Sequence, residues 1–451
     1  MKAEIKERIE DINKGIAPKG YKTSKLGIIP EDWDVKHFED VAVINPSKEN
    51  LDENEIVSFI TMSDVSDDAK LIGYQPKLYK EVSNGFTAFK DRDVLVAKIT
   101  PCFENGKGAL VDNLLNKTGF GSTEFHVLRP KKYGDEVYIY YHTITDRFRK
   151  SGEKNMTGTA GQKRISADFI RGFLIPYPRN DIERKRITDI LSTWDKAIEL
   201  KEKLIKQKKE LKKGLMQSLL TGKIRWNDGK KLSKFDIKRR LEMIRRGEVP
   251  EGYKKTKIGI LPDDWATKKA KDIFENYSDK KHNGDLEVLS STQDKGIIPR
   301  SQLDIDIKYD EGNLKNYKRV QKGNFIISLR SFQGGIEFSD YDGIISPAYT
   351  VLRNKIDIDH AFYRHLFKTE GFINRLSSVI YGIRDGKQIG YGDFGEMLLQ
   401  YPSPKEQQQI SNILNTYELE IGLLEQELES LKKQKKGLMQ LLLAGKIRVK
   451  C

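Results

Sequence analysis

Two sets of loop residues carry the side chains best suited to hydrogen-bonding chemistry. The first is Lys98, Thr100, Asn105, Lys107, Ser122, Thr123, Gln162, Lys163 and Arg164. The second is Arg330, Ser331, Gln333, Ser346, Arg384, Lys387 and Gln388. Both sets surround short apolar strands, DVLVAKI at 93–99 and NFIISLR at 324–330. NMTGTAGQKR at 155–164 and YGIRDGKQ at 381–388 hold matching places in the two halves of the chain. Ammonium, guanidinium and hydroxyl groups bind phosphate oxygens. Arg and Lys also match guanine O6 and N7, while Gln and Asn match adenine N6 and N7. Glycines let a backbone approach a ligand closely. Any one of these residues alone is an ordinary solvated loop residue; the sets together are a candidate nucleic-acid surface.

Bond-making chemistry is not encoded in the same way. Gly382-Ile-Arg-Asp-Gly386-Lys387-Gln388 is one residue short of a phosphate loop and lacks its Ser/Thr. Asn45-Pro46-Ser47 is not the (N/D)PP(Y/F) motif of an adenine methyltransferase. Asp34-Val35-Lys36 resembles the tail of a nuclease motif, but the matching Ala266-Thr267-Lys268 lacks the acid, so Asp34 is read as a surface residue. His360 and His365 are five apart, the wrong spacing for one helix face, and are read as packing histidines. No catalytic, cofactor or metal set is assigned.

The elements that must position these loops occur twice. IKERIEDINKGIAPKGYKTSKLGIIPEDW at 5–33 returns as IKRRLEMIRRGEVPEGYKKTKIGILPDDW at 237–265, identical at 16 of 29 positions with an offset of 232. KKGLMQSLLTGKIR at 212–225 returns as KKGLMQLLLAGKIR at 435–448, identical at 12 of 14. The middles diverge, then realign at an offset of 224, where Val127, Leu128 and Arg129 match Val351, Leu352 and Arg353. Each half predicts a mixed α/β domain, with a helix at 135–150 or 359–377, closed by Tyr177-Pro178 or Tyr401-Pro402.

A long proline-free helix follows each domain. Apolar positions alternate steps of 4 and 3: Ile187, Leu191, Trp194, Ile198, Ile205, Leu215 and Leu219 in the first, with lysines at 201, 208 and 212. The second has Ile410, Leu414, Tyr417, Ile421, Leu424, Leu428, Leu431, Leu438 and Leu442, with Lys435. These are coiled-coil seams, each about 60 Å long. The polar stretch 226–236 between them reaches at most about 37 Å. The expected fold is therefore α/β (α+β): two mixed domains separated by a long antiparallel two-helix coiled coil, with pseudo-two-fold symmetry. The expected segments are a helical 1–17, a first mixed domain 18–178, a spacer helix 179–225, a linker 226–236, a second mixed domain 237–402 with its preceding helix, and a distal spacer helix 403–451.

The 451 residues carry a formal charge of +14, which suits a polyanionic partner. Two cysteines, Cys102 and Cys451, fit a reducing compartment and exclude a cysteine-based zinc site. There is no long apolar run and no signal-like N-terminus, so a cytoplasmic protein without membrane attachment is expected.

The order GYKxxxxGxxPxDW, variable domain, long helix ending KKGLMQxLLxGKIR, and then all of it again resembles the specificity (S) subunit of type I restriction–modification enzymes. AKITPCFENGKGAL at 97–110, GFGSTEF at 119–125 and SLRSFQGGIEFS at 328–339 also resemble recognition-domain segments of that family. A departure is PRNDIERKR in copy one, where the family has prolines then Glu-Gln; copy two keeps PSPKEQQQI. That departure bears on where the helix starts. The resemblance implies a non-catalytic prokaryotic subunit, nucleoid-associated when bound to DNA, whose two domains read a bipartite, asymmetric site in double-stranded DNA. It implies two methyltransferase subunits using S-adenosylmethionine, and two motor-nuclease subunits using ATP and Mg²⁺, with no cofactor on this chain. Three other readings stay open: a two-headed DNA-binding regulator, a coiled-coil adaptor without restriction partners, and a catalytic nuclease, which the lack of a metal-binding set in both halves disfavours.

Overall fold

The computed structural model describes residues 3–159, 161–228, 232–292, 295–303, 311–378 and 389–449. They form two compact units, 1–201 with 427–451, and 202–426. Each unit is a mixed α/β body that includes part of both long helices, Asp181–Leu219 and Pro404–Leu443.

In the first unit a four-stranded antiparallel sheet runs in the order Ala42–Ile44, Phe125–Pro130, Val94–Ala97, Gly108–Leu110. The second unit repeats that order with Phe274–Tyr277, Thr350–Asn354, Phe325–Ile327 and Glu337–Phe338. The divergent middles thus keep one sheet topology. A second four-stranded sheet is present in the first unit, with Thr118–Gly121 parallel to Ile56–Ile60. In the second unit two separate strand pairs are found among the described residues of the corresponding stretch.

Entry and exit strands of each domain zip together in one register. Asp34 pairs with Tyr177, and its counterpart Ala266 pairs with Tyr401. Beneath them, Trp33 packs with Phe38, Phe148 and Phe173 in one core, and Trp265 with Phe274, Phe362 and Phe367 in the other. Both tryptophans are essentially fully buried.

The near-identical ends of the two copies turn out to be the two sides of a clasp, and the clasp pairs opposite copies. In the first unit the Trp33 Nε1–H donates to Glu183 Oε2 at 3.0 Å, and Arg448 donates to Glu183 Oε1 at 2.5 Å and to Asp32 at 2.8 Å. The Tyr21 hydroxyl donates to the Gly445 carbonyl at 3.0 Å. In the second unit Trp265 donates to Glu406 at 3.0 Å, Arg225 donates to Glu406 at 2.6 Å and to Asp264 at 2.9 Å, and Tyr253 donates to Gly222 O at 2.8 Å. Glycine is required at both helix ends. Gly222 and Gly445 each have φ +68°, and a Cβ there would lie 2.5 Å from Pro262 or Pro30. The altered PRNDIERKR keeps its acid: Glu183 stands where Glu406 stands, and the helix starts at Asp181.

Three expectations change. The helices expected over 135–150 and 359–377 are each two: Glu136–Thr143 with Asp146–Lys154, and His360–Leu366 with Glu370–Ser378. Thr145 and Thr369 sit at the breaks, where their hydroxyls accept from the amides of Phe148 and Phe372 at 3.3 Å, as N-caps do. Of the stretch 226–236, the described residues are anchored. Asp228 is buried, accepts from the Arg225 amide at 2.6 Å and pairs with Arg240, and a helix starts at Lys234 with Ser233 as its cap.

The seams are real but uneven. Ile187, Leu191, Ile198, Ile205, Ile410, Leu414 and Ile421 are buried. Trp194, Leu215, Tyr417, Leu424, Leu428, Leu431 and Leu438 are only part-buried, since a pair of helices leaves its flanks in water. Within the first unit Asp195 meets Lys435 and Lys201 meets Glu427; within the second Lys208 meets Glu420 and Lys212 meets Glu418. Rising numbers on one helix match falling numbers on the other, so the paired segments run antiparallel. The four seam lysines therefore lay their stems along the seam and place each ammonium on a carboxylate of the facing helix.

Candidate nucleic-acid interface

Strand register brings the loops of the first set together. Ala97 pairs with Phe125, so the chain leaving at Lys98 and the chain arriving from Glu124 share one end of the sheet. The Lys98 amide donates to Glu124 O and its Nζ to Thr123 O, both at 2.7 Å. The third loop is stitched on by backbone: Thr100 N donates to Lys163 O and Ile165 N to Lys98 O, each at 3.0 Å. Lys98, Thr100, Ser122, Thr123, Gln162, Lys163 and Arg164 therefore share one surface, with Thr123, Gln162, Lys163 and Arg164 exposed.

Within this surface the groups are poised differently. Arg164 is clamped by Glu124, with Nε and one terminal nitrogen each 3.0 Å from a carboxylate oxygen. Glu124 raises the Arg164 pKa, chiefly through that hydrogen bond. Burial lowers the Lys98 pKa, Arg164 adds to the shift, and Glu124 opposes it. Thr100 Oγ1 donates to Glu104 at 2.5 Å. Asn105 is exposed on the turn that follows, where its amide donates to Pro101 O at 2.9 Å. Lys107 is a correction: its Nζ points inward and donates to the carbonyls of Met62 and Val65 at 3.0 Å, so it ties a loop down. Ser122 is partly engaged, its Oγ accepting from the Glu124 amide at 3.2 Å.

The second set follows the same logic. Ile327 pairs with Thr350, so the loops carrying Arg330, Ser331 and Gln333 and carrying Ser346 leave from one sheet end. Arg330 and Gln333 are exposed. Ser331 is a correction: it is buried, and its Oγ accepts from the Ser328 amide at 2.8 Å to close the turn. Ser346 Oγ accepts from Ala348 N at 3.4 Å. Arg384, Lys387 and Gln388 lie outside the described residues.

Three supporting residues escaped sequence reasoning: Glu124, His126 and Asn45. His126 is buried beneath the loops, with Nε2 3.0 Å from Ile165 O and Nδ1 3.0 Å from Asn45 Nδ2. These contacts fit a neutral ring whose Nε2–H donates and whose Nδ1 accepts. Burial pushes its pKa down to about 4. Asn45 sits at φ +51°, where its side chain also receives the Val127 amide at 3.0 Å. A polar residue inside the apolar strand FHVLRP was the available signal.

The residues tested for catalysis have structural partners. Asp34 accepts from Arg179 at 2.7 Å; His360 lies 3.1 Å from Asn354 Oδ1 and His365 2.8 Å from Asn415 Oδ1. Among the described residues no group of three or more His, Cys, Asp or Glu could hold a metal ion. No described helix is long and apolar enough to cross a membrane.

Comparison with known proteins agrees with this architecture. The chain is 37% identical over 176 residues to the type I restriction enzyme EcoAI specificity subunit of Escherichia coli, a match over 37% of this chain and 29% of that protein. It thus spans less than a third of that relative. It is 25% identical over 449 residues to the type I restriction enzyme MjaVIII specificity subunit of Methanocaldococcus jannaschii, covering 94% of each. Two solved chains share the fold. One, from work on complex assembly and conformational transition of the type I R-M system, has TM-score 0.54 and 15% identity over 93% of this chain and 99% of its own. The other, the type I restriction-modification system S subunit from M. genitalium, has TM-score 0.51 and 14% identity over 91% and 96%. The family model for the type I restriction modification DNA specificity domain matches twice, at 30–210 and 262–433, and this chain belongs to that family.

Proposed function

We propose that each unit reads one half of a bipartite, asymmetric site in double-stranded DNA. The observation that carries this is a shared frame with unlike loops. The sheet order and clasps recur in both units, whereas SFQGG at 331–335 replaces the corresponding turn of AKITPCFENGKG. A shared sheet order and clasp with different side chains at one sheet end suit two different base sequences. The antiparallel helices would then set the distance between half-sites. The repeated ends would present one docking surface twice, once for each of two methyltransferase subunits, with two motor-nuclease subunits joining for cleavage. In this reading the chain contributes no cofactor or catalytic group; S-adenosylmethionine, ATP and Mg²⁺ belong to the partners, in the prokaryotic cytoplasm. The test is to co-express the chain with its cognate methyltransferase and map methylated adenines across a genome. Two unlike half-sites at fixed spacing are expected. DNA binding with no methyltransferase bound would favour a two-headed regulator, and no sequence-selective binding would favour an adaptor.

A further inference from the structure

Arg164 and Glu124 form one ion pair on two anchored backbones. The Arg164 amide donates to Thr157 O at 2.8 Å, Thr157 N donates back to Arg164 O at 3.0 Å, and Arg164 also bridges to Ile99. Ile165, next along, is buried, as is Phe125 beside Glu124. The Glu124 carbonyl accepts from the Lys98 amide at 2.7 Å, and its own amide donates to Ser122 Oγ at 3.2 Å. The side chains reach the surface, Arg164 45% exposed and Glu124 27%. A guanidinium has five N–H donors in a fixed planar fork. Nε and Nη2 each give one to the Glu124 carboxylate at 3.0 Å, and Nη1 gives one to Gln162 O at 3.2 Å. Among the described residues the remaining two have no acceptor, one on each terminal nitrogen. The carboxylate grips the fork at two points and fixes its plane, so these two donors have a set direction before any ligand arrives.

Charge and direction together select the acceptor. Glu124 offsets the charge that Arg164 would show to a phosphate, and a phosphate on the same guanidinium would crowd a second anion against the carboxylate. A neutral pair of acceptors meets no such repulsion. Of the four bases, guanine alone sets two acceptors side by side in the major groove, O6 and N7, which match a two-donor fork. Lys163, the neighbour of Arg164, is exposed and has no carboxylate partner among the described residues, so it suits phosphate instead. The positions matching Glu124 and Arg164 in the second copy are Ala348 and Gln388, so that copy has no equivalent pair.

We infer that Arg164 reads a guanine in the half-site of the first unit, and that Glu124 is its positioning residue, fixing the fork and turning it away from phosphate. This rests on the reading of each unit as the reader of one half-site. It adds a base identity to one of the two half-sites and a reason for an acid on a surface that meets DNA.

The full-length chain is co-expressed with its cognate methyltransferase subunit, and methylated adenines are mapped for the wild type and for Arg164→Ala. One half-site should contain a fixed guanine that relaxes to any base in Arg164→Ala, with the other half-site unchanged. Fluorescence anisotropy then compares the mapped duplex with one carrying 7-deazaguanine at that position, which lacks the N7 acceptor. The wild-type complex should bind the altered duplex about tenfold more weakly, and Arg164→Ala should bind both alike. Glu124→Gln keeps the shape of the side chain and drops its charge. It should lose part of that discrimination, bind unrelated duplex more tightly, and steepen the salt dependence by up to about one phosphate contact; a merely structural acid would move none of these. Arg164→Ala weakening every duplex alike, relaxation at an A·T pair, or undiminished wild-type binding to the 7-deazaguanine duplex would overturn the assignment of guanine. Wild-type discrimination and salt dependence in Glu124→Gln would overturn the role of Glu124. A wild-type complex whose methylation shows no half-site pattern would instead overturn the half-site reading on which both rest.

Discussion

The Arg164 guanidinium, held by Glu124 on an exposed loop, is the residue best placed to reach a base edge. Arg164→Ala should weaken DNA binding by about 1–3 kcal/mol if it reads a base, measured by fluorescence anisotropy at fixed salt. Lys107→Ala should do the reverse: little change in DNA affinity, but a lower melting temperature, because two loop carbonyls lose their donor. His126 gives this surface a pH dependence. Its folded pKa is pushed down to about 4 by burial, with Lys98 and Arg171 adding, and the Ile165 carbonyl and Glu124 opposing. The unfolded value is about 6.5, so the unfolded chain takes the proton first. This stabilisation is complete above about pH 6.5 and is lost as pH falls toward 4, by up to about 3 kcal/mol. Buried His142, pushed well below its ordinary value by burial, acts in the same direction. Urea melts at pH 7.5, 5 and 4 should show the loss, and His126→Asn should flatten part of it.

At the level of elements, the clasp and the seam predict different costs. Arg448→Ala leaves Glu183 buried with one donor fewer and should cost about 3 kcal/mol in a denaturant melt, with Arg225→Ala behaving alike through Glu406. On the seam, Ile421→Asp should cost several kcal/mol by burying an unpaired charge, while Leu428→Asp, at a part-buried position, should cost less. The seam register was legible in the sequence because helical spacing is local. The seam lysines looked like flaws there, since their carboxylate partners lie on the other helix. The split at Thr145 was hidden because Val137, Tyr141, Ile144 and Phe148 stay in helical step across it. The inward turn of Lys107 was equally hidden, because the carbonyls that attract it come from a loop some 40 residues earlier. The repeated motifs announced themselves, but their cross-pairing did not: Tyr21 and Gly445 are 424 positions apart.

For the whole molecule, the proposed division of labour makes two predictions. Exchanging 34–178 for the matching domain of another family member should change one half-site and leave the other untouched, as read by methylation mapping. Changes in both would remove the modular reading. Inserting one helical turn into both long helices, about 5–6 Å, should lengthen the preferred spacer by one to two base pairs with both half-site sequences retained. The crossed clasp has a further consequence for how the chain is made. Residues 202–426 are contiguous, so the second unit has all its parts once they have left the ribosome. The first unit starts earlier but needs 427–449 to close over Trp33 and Tyr21. The domain synthesised first is thus the last to be sealed, and until Arg448 emerges, Glu183 waits for its cation.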